Sequence, residues 1–327
     1  MQSKVEISVV MSVYNSERWL RESILSILNQ TYSNFEFIII NDGSTDNSLS
    51  IINSFKKDDN RIKLIDQNNI GLTKSLNRAI SISNGNLIAR IDADDISLPN
   101  RLKSQYELMK RNNQVGLCYT NYTEIDETGK TIRCVTPTFR FNKIKKNLSN
   151  GINLIPHSSV MYRKSIFNKL GGYRERFKKS QDIDLWLRMI EVTLFLSIKG
   201  KSQVQIRRHS QSITYKEFDI YTYISVLSYR IRKKSMRDPV LLSDSEYKIF
   251  FNWIKSFLDS SDELLKKSKI NQIKKLINIS DIKTNNWFKT LFLITLSKYS
   301  YVILYERIFG NLLFKRLFKE WHFKFNN

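Results

Sequence analysis

Three carboxylates lie close together in the segment Asp92-Ala93-Asp94-Asp95, which directly follows an apolar run with the character of a buried strand. A single Asp-x-Asp is most often a solvated acidic turn. Two carboxylates at a strand end, however, can reach one point in the adjacent crevice, and hard divalent cations take one or two protein carboxylates together with substrate phosphate oxygens. The position of this segment therefore favours a divalent-metal site with Asp92 and Asp94 as candidate ligands.

A second polar segment, Asn41-Asp42-Gly43-Ser44-Thr45-Asp46, ends another strand and begins a helix. An Asx-turn with a helix N-cap accounts for some of these residues. A nucleotide pocket, in which Asp42 accepts a hydrogen bond from a base or ribose, is compatible with the same turn. The sequence has neither Gly-x-Gly-x-x-Gly nor Gly-Lys-Ser/Thr, so dinucleotide oxidoreductases and P-loop NTPases lose their usual support.

A third acidic segment, Gln181-Asp182-Ile183-Asp184, opens a predicted helix. Acidic residues in a first turn complement the helix dipole, and Asp184 can pair with Arg188 four residues later. Taken by itself, the segment is fully explained by these two structural roles. Together with the upstream Asp-x-Asp, the segment favours Asp182 as a general base, which must stay ionised, and we expect Arg188 in a polar pocket to keep it so.

Two of the three histidines are candidates for the same crevice. His209 stands in a basic segment and is either part of a surface turn or a late metal or diphosphate contact. His157 is either a packed turn histidine or a residue of an acceptor pocket. The residue pattern leaves both pairs of alternatives open.

These segments are positioned by alternating strand and helix signals over the first hundred residues. Such a βαβαβαβ pattern predicts an α/β fold with a doubly wound, mostly parallel sheet flanked by helices, with its ligand at the C-terminal ends of the strands. A further strand near Val204 to Arg208 is predicted to close this sheet. The predicted first four strands are Ile7–Val13, Phe35–Ile40, Ile62–Ile65 and Leu87–Ile91.

Composition narrows the class of protein. The chain has 327 residues, 41% of them hydrophobic, which is enough for a sizeable core. Cys118 and Cys134 have no neighbouring histidine at metal-ligand spacing, so we expect reduced thiols in the cytoplasm, and the N-terminus has no signal-peptide pattern. The formal net charge of +22 predicts an anionic partner: nucleic acid, a membrane surface or a phosphorylated substrate.

We place a domain boundary near residue 215. Residues 216–327 are predicted to form a basic, aromatic-rich helical region, with twelve Phe, Tyr and Trp residues between Trp287 and Phe325. Phe309, Leu313 and Trp321 fall on one helical face. That face either packs on the rest of the protein or lies on an anionic membrane surface. We expect no nucleic-acid partner, since no nucleic-acid-binding module is visible.

The ordered motifs resemble glycosyltransferase family 2, which has the GT-A fold, and the resemblance spans about residues 6–215. It is closest to bacterial enzymes that build capsule, O-antigen or other surface polysaccharides. The motifs are Ser12-Val13-Tyr14-Asn15, Ser26-Ile27-Leu28-Asn29-Gln30-Thr31-Tyr32, Asn41-Asp42-Gly43-Ser44-Thr45-Asp46, Gly71-Leu72-Thr73-Lys74-Ser75-Leu76-Asn77, Asp92-Ala93-Asp94-Asp95 and Gln181-Asp182-Ile183-Asp184-Leu185-Trp186.

The resemblance implies inverting transfer of a hexosyl or N-acetylhexosaminyl group from a nucleotide-sugar, most often a UDP-sugar. It implies that Mn²⁺ or Mg²⁺ is bound by Asp92 and Asp94, with Asp94 as the direct ligand, and that Asp182 is the base. Many relatives have Glu-Asp where this chain has Gln181-Asp182. The implied nucleotide-binding residues are Val13, Tyr14 and Asp42 at the uridine, with Lys74 and Asn77 near the nucleotide or diphosphate.

A C-terminal helix that lies on the membrane surface would suit a saccharide acceptor carried on a polyprenyl diphosphate. It would also suit a cytoplasmic enzyme bound peripherally to the inner face of the plasma membrane. Two other functions compete. A sugar-phosphate nucleotidyltransferase should have a Gly-rich basic loop after the first strand, but Tyr14-Asn15-Ser16-Glu17-Arg18 contains no glycine. A non-enzymatic basic membrane-binding protein would need neither the Asp-x-Asp nor Asp182.

Overall fold

A computed structural model describes residues 5–136, 141–210, 220–233 and 238–259. The chain divides into two compact units. One comprises Met1–Leu148 and Ile152–Glu217, and the other Ser149–Gly151 and Phe218–Asn327.

The first unit is built on a seven-stranded sheet. In order across the sheet, its strands are β10 Leu194–Ile198, β6 Val115–Thr120, β9 Val160–Arg163, β4 Leu87–Arg90, β1 Ile7–Val13, β2 Phe35–Asp42 and β3 Ile62–Gln67. All pairings are parallel except those of β9, which runs antiparallel to β4 and β6. The predicted mostly parallel α/β fold is therefore confirmed.

Helices cover this sheet because the connections between parallel strands must cross its faces. All eight residues of β2 are buried, which explains its nearly continuous apolar sequence. The helices of the first unit are α1 Glu17–Leu28, α2 Ser48–Asp58, α3 Leu72–Ser81, α4 Arg101–Arg111, α5 Phe141–Leu148, α6 Lys164–Lys169 and α7 Gln181–Met189.

A switch in strand order determines where the crevice forms. From β1 the chain adds β2 and β3 on one side, then returns to place β4 on the other side of β1. The loops after β1 and β4 consequently leave the sheet in different directions, and ligands of doubly wound sheets bind at such switch points. The Asp92-Ala93-Asp94-Asp95 segment follows β4 directly.

A second sheet corrects one prediction. In order across this sheet, its strands are β5 Ile96–Ser97, β11 Val204–Arg207, β7 Tyr122–Ile125 and β8 Thr131–Val135. The segment that we predicted to close the main sheet is β11, which instead pairs with β5 and β7. The edge of the main sheet opposite β3 is formed by β10, whose parallel pairing with β6 joins residues about 80 apart and leaves no local sequence signal.

A buried arginine ties α4 to the main sheet. Arg101 is fully buried and donates hydrogen bonds to the carbonyl oxygens of Arg90 (2.7 Å) and Val160 (3.1 Å). It also donates to Ser97 Oγ (2.8 Å) and Gln105 Oε1 (3.1 Å). Burial lowers the pKa of Arg101 to about 9, so the guanidinium is still charged at neutral pH.

The described part of the second unit contains α8, Ile220–Arg232, and α9, Asp244–Asp259. Buried Asp238 accepts hydrogen bonds from Ser228 Oγ (2.6 Å) and Arg232 (2.9 Å). Among the helices that the structure describes, none is long and apolar enough to cross a bilayer. The predicted aromatic face at Phe309, Leu313 and Trp321 lies outside the described residues.

Replacing Arg101 with Met should lower the free energy of unfolding by about 3 kcal/mol, because two buried carbonyl oxygens lose their charged donor. Urea unfolding followed by circular dichroism measures this loss. Lys103→Met, at an exposed position of the same helix, is the control and should change stability by less than about 0.5 kcal/mol. Equal unfolding midpoints for both variants would contradict the anchoring role of Arg101.

Candidate active site

The loops after β1 and β2 are locked together at the crevice. Asn15 has a left-handed backbone (φ 47°), which directs its Oδ1 to accept a hydrogen bond from the Thr45 backbone N–H (2.8 Å). In the opposite direction, Asp46 accepts from the Glu17 N–H (3.0 Å). This mutual capping holds the end of β1 in place. Val13 is buried there, whereas the side chain of Tyr14 is 52% exposed beside it.

The Asp42 carboxylate accepts hydrogen bonds from groups of the protein itself. Its Oδ1 accepts hydrogen bonds from Gln67 Nε2 (2.8 Å) and the Ile70 N–H (2.9 Å), and its Oδ2 accepts from the Gly71 N–H (2.9 Å). The carboxylate is buried and joins β2 to the turn before α3. Gly43 permits this close approach, because a Cβ there would lie 2.6 Å from the Asn69 nitrogen. The structure thus gives Asp42 a role in holding the turn before α3, which the sequence did not predict.

Asn77 has a similar internal role. Its Nδ2 donates to the Tyr173 carbonyl (2.8 Å) and its Oδ1 accepts from the Tyr173 N–H (3.0 Å), so both ends of the amide hold the segment before α7. The implied position of Asn77 near the nucleotide or diphosphate stays a prediction, since these contacts show only how the amide itself is held. Lys74, one turn earlier on α3, is exposed.

The predicted metal-binding carboxylates do converge. Ligand atoms of Asp92, Asp94 and Asp95 lie within 4.8 Å of one another. Asp92 is paired with buried Arg90 and accepts a hydrogen bond from Ser158 Oγ (2.9 Å). Asp95 accepts from the Arg207 N–H (2.9 Å), and burial beside two other carboxylates raises its pKa well above the usual range.

His209 lies against this cluster. Its Nε2 is 2.8 Å from Asp94 Oδ2, and its ring packs against Trp19 with centroids 4.3 Å apart and the ring planes tilted by 41°. It is buried, which rules out the surface-turn alternative. Its buried Nδ1 has no hydrogen-bond partner among the described residues. The three clustered carboxylates suit a divalent cation such as Mn²⁺ or Mg²⁺, and Asp92 and Asp94 are the more accessible oxygen donors. His209 contacts one of them, Asp94.

Two arginines that organise this cluster were not identified from the sequence. Arg207, on β11, donates to the Asp94 carbonyl (3.1 Å) and pairs with Glu22 of α1 (2.5 Å). Arg90 carried a usable signal, because an arginine inside an apolar strand must be paired when buried. It lies two residues before Asp92, and alternate residues of an extended chain point to the same side. Arg207 had no comparable signal, since its partners come from distant segments.

Asp182 lies in the first turn of α7, which follows Ser180, a residue with a left-handed backbone (φ 53°). Its Oδ2 accepts a hydrogen bond from Asn153 Nδ2 (2.9 Å). Burial raises the pKa of Asp182 to about 6, although the Ile183 N–H and the charge of Arg90 act in the opposite direction. A carboxylate with this pKa is mostly ionised at pH 7 and able to accept a proton.

The expected partner of Asp182 is corrected. Arg188 pairs instead with Asp184 (2.8 Å), as the helical spacing suggested, and donates to the carbonyl oxygens of Leu170 and Gly172 (both 2.8 Å). Arg174 also pairs with Asp184. Arg90, not Arg188, is the cation that favours ionised Asp182.

His157 is a packed residue. Its Nε2 lies 2.7 Å from the Tyr173 hydroxyl, and its ring meets Trp186 edge-on with centroids 5.8 Å apart. Burial and the nearby charge of Arg90 lower its pKa well below the usual range. These contacts support the first of the two alternatives for this histidine.

Comparison with known proteins identifies the class. Residues 8–171 match the family model described as glycosyl transferase family 2. An uncharacterized glycosyltransferase of Methanocaldococcus jannaschii, MJ1057, is 33% identical over 85% of this chain and 94% of its own. The O-antigen biosynthesis glycosyltransferase WbnJ of Escherichia coli is 38% identical over 56% of this chain and 71% of its own.

Solved structures share the fold at low sequence identity. Staphylococcus aureus TarS 1–349 in complex with UDP-GlcNAc has a TM-score of 0.60 and 16% identity, covering 83% of this chain and 80% of its own. The mannosyltransferase PcManGT of Pyrobaculum calidifontis, in complex with GDP-Man and Mn²⁺, has a TM-score of 0.51 and 12% identity, covering 90% and 87%. The fold is of the GT-A type. The chain belongs to glycosyltransferase family 2 and is a transferase.

Turnover should fall as the pH drops through about 6, because Asp182 must be unprotonated to act as a base. A pH–rate profile of kcat measures this acid limb. Asp182→Asn should lower kcat by roughly 10²–10⁴ and abolish the limb.

Asp184→Asn is the matched control for this prediction. It breaks a buried carboxylate's pairing with two arginines, so it should lower unfolding stability by about 3–5 kcal/mol. Normal turnover by Asp182→Asn, with a folded but inactive Asp184→Asn, would place the base at Asp184 instead.

Proposed function

We propose that this enzyme carries out inverting, metal-dependent transfer of a hexosyl or N-acetylhexosaminyl group from a UDP-sugar to a saccharide acceptor during synthesis of a bacterial surface polysaccharide. The observation that carries this proposal is that Arg90 acts on both a candidate metal ligand, Asp92, and the candidate base, Asp182. The guanidinium pairs with Asp92 of the acidic cluster, and its charge also favours the anionic form of Asp182. The UDP-GlcNAc bound to TarS and the name of WbnJ support the donor and the pathway class.

The reaction explains why both carboxylates are needed. As the bond between the anomeric carbon and the diphosphate oxygen breaks, the leaving nucleotide diphosphate gains negative charge, which a divalent ion held by Asp92 and Asp94 would neutralise. Asp182 takes the proton of the attacking hydroxyl from the opposite face of the sugar, which inverts the anomeric centre. Val13 and Tyr14 would line the uridine at the end of β1, and exposed Lys74 would approach the diphosphate.

The second part of the proposal is an acceptor carried on a polyprenyl diphosphate. Lys178 and Lys179 are exposed in the loop immediately before α7, and neither forms an ion pair with another residue of the described chain. The loop is anchored, since Thr73 Oγ1 donates to the Phe177 carbonyl (2.6 Å). In an inverting reaction the acceptor enters from the side of the base, so these lysines suit a phosphate on the acceptor.

The third part concerns organisation and location. We propose that residues 1–215 form the transferase domain and 216–327 a separate helical region, a division that the two compact units support. The net charge of +22 suits a cytoplasmic protein bound peripherally to the anionic inner face of the plasma membrane. Neither alternative, a nucleotidyltransferase or a non-enzymatic membrane-binding protein, accounts for the membership of glycosyltransferase family 2 or for an Asp182 whose pKa suits a general base.

A screen of nucleotide-sugars for release of free nucleotide tests the reaction. We expect a UDP-sugar to be turned over only with a divalent ion, so that EDTA abolishes activity and Mn²⁺ or Mg²⁺ restores it. Asp94→Ala should abolish turnover and weaken metal-assisted UDP binding. Asp58→Ala, at an exposed carboxylate of α2, should behave as wild type. Full activity in EDTA would overturn the metal role.

Reversing the charge of Lys178 and Lys179 to Glu should raise KM roughly tenfold or more for an acceptor on polyprenyl diphosphate, because attraction worth about 1 kcal/mol per lysine is lost. KM for a neutral saccharide acceptor and the rate of donor hydrolysis should not change. Lys56→Glu with Lys57→Glu, an adjacent exposed pair on α2, applies the same charge change elsewhere. Equal effects of the two double variants would argue against a phosphate contact by the loop.

A further inference from the structure

Asn153 contacts the proposed base through an amide whose orientation is fixed. Its Oδ1 accepts the backbone N–H of Ile155 (3.0 Å), and its Nδ2 donates to Asp182 Oδ2 (2.9 Å). A flipped amide would place its NH₂ against an N–H and its oxygen against a carboxylate, losing both bonds. The Ile155 backbone therefore forces the donor end of Asn153 towards Asp182.

We propose that Asn153 is a positioning residue for the base: it holds Oδ2 of Asp182, stabilises the carboxylate anion and leaves Oδ1 to accept the proton of the attacking hydroxyl. This inference rests on the proposed role of Asp182. A neutral amide suits this position, because it donates a hydrogen bond without adding a positive charge that would weaken the base. A hydrogen bond to the charged form of an acid favours that form.

The segment that carries Asn153 also supports the acidic cluster. Five residues later, Ser158 donates to Asp92 Oδ2 (2.9 Å) and accepts from the Asp92 N–H (3.0 Å). Buried Arg90 donates to the same hydroxyl (3.1 Å). One short segment thus contacts both the base and a candidate metal ligand. Asn153 fixes the base relative to the position where the donor's leaving group would be held.

The other groups that act on Asp182 come from three elements. Arg90 on β4 favours its anion, Asp92 after β4 disfavours it, and the Ile183 N–H at the start of α7 donates to it. Burial raises the pKa of the Tyr173 phenol, in the loop before α7, and the nearby charge of Asp182 raises it further. Burial disfavours the ionised form of Asp182, and the hydrogen bond from Asn153 opposes that effect. Because Asn153 is neutral, a substitution can remove this donor without changing the charge of the site.

Asn153→Ala tests the proposal through pH dependence. Loss of the donor should lower kcat at pH 7 roughly 10- to 100-fold and move the acid limb of the kcat profile upward by about one pH unit. Asn153→Asp is nearly isosteric, but it places a second carboxylate against Asp182, so the limb should move further. Donor KM and UDP affinity should stay at the wild-type values in both variants.

The control is Asn121→Ala, which removes an amide that donates to the Gly200 carbonyl (2.6 Å). It should leave the acid limb in place. Wild-type kcat in Asn153→Ala would overturn the proposal, and so would a lower kcat with an unshifted limb, since that pattern indicates only a structural role.

A double-mutant cycle separates this proposal from the assignment of the base. In an Asp182→Asn background, Asn153→Ala should cause no further loss of kcat, because the base that it orients is already absent. Additive losses would overturn the role of Asn153 alone. Normal turnover by the single variant Asp182→Asn would instead overturn the assignment of Asp182.

Discussion

Arg90 lies on a central strand and is only 2% exposed, and the rest of the site depends on its buried positive charge. A buried guanidinium is stable only when it is paired and hydrogen-bonded. Here the pairing is met by Asp92 and by the Ser158 hydroxyl, which draws the segment around residues 153–159 against the end of β4. The same charge favours ionised Asp182 and disfavours charged His157. One cation therefore organises an acidic site whose carboxylates would otherwise repel one another.

The second sheet positions several residues that contact the acidic cluster. The acidic cluster follows β4, but its remaining partners come from β11 and the residues after it. Arg207 binds the backbone of Asp94 and the side chain of Asp95, and His209 contacts the Asp94 carboxylate. The small sheet places these groups opposite the loop because β11 pairs antiparallel with β5, which begins one residue after Asp95. A strand pairing thus fixes the spacing of the candidate metal ligands.

Several polar residues of the family motifs hold neighbouring loops in place. Asp42 and Asn77 bind backbone groups at Gly71 and Tyr173, respectively. Buried backbone N–H and C=O groups in loops need such partners, and a short side chain next to the crevice satisfies them locally. These motif residues therefore act in part on the fold, since they hold the segments that precede α3 and α7, the helices that carry Lys74 and Asp182.

The sequence alone determined the alternation of strands and helices, because periodicity and caps are local properties of the chain. It also determined that Asp92, Asp94 and Asp182 fall at element ends, where parallel topology brings them to one edge. Only the tertiary structure decided which partners these carboxylates take. Arg188 pairs with Asp184 instead of Asp182, Asn153 holds Asp182, and Arg207 reaches the acidic cluster from residues more than 100 positions away. Such pairings depend on burial and on strand register between distant segments, and neither is encoded in the spacing of residues along the chain.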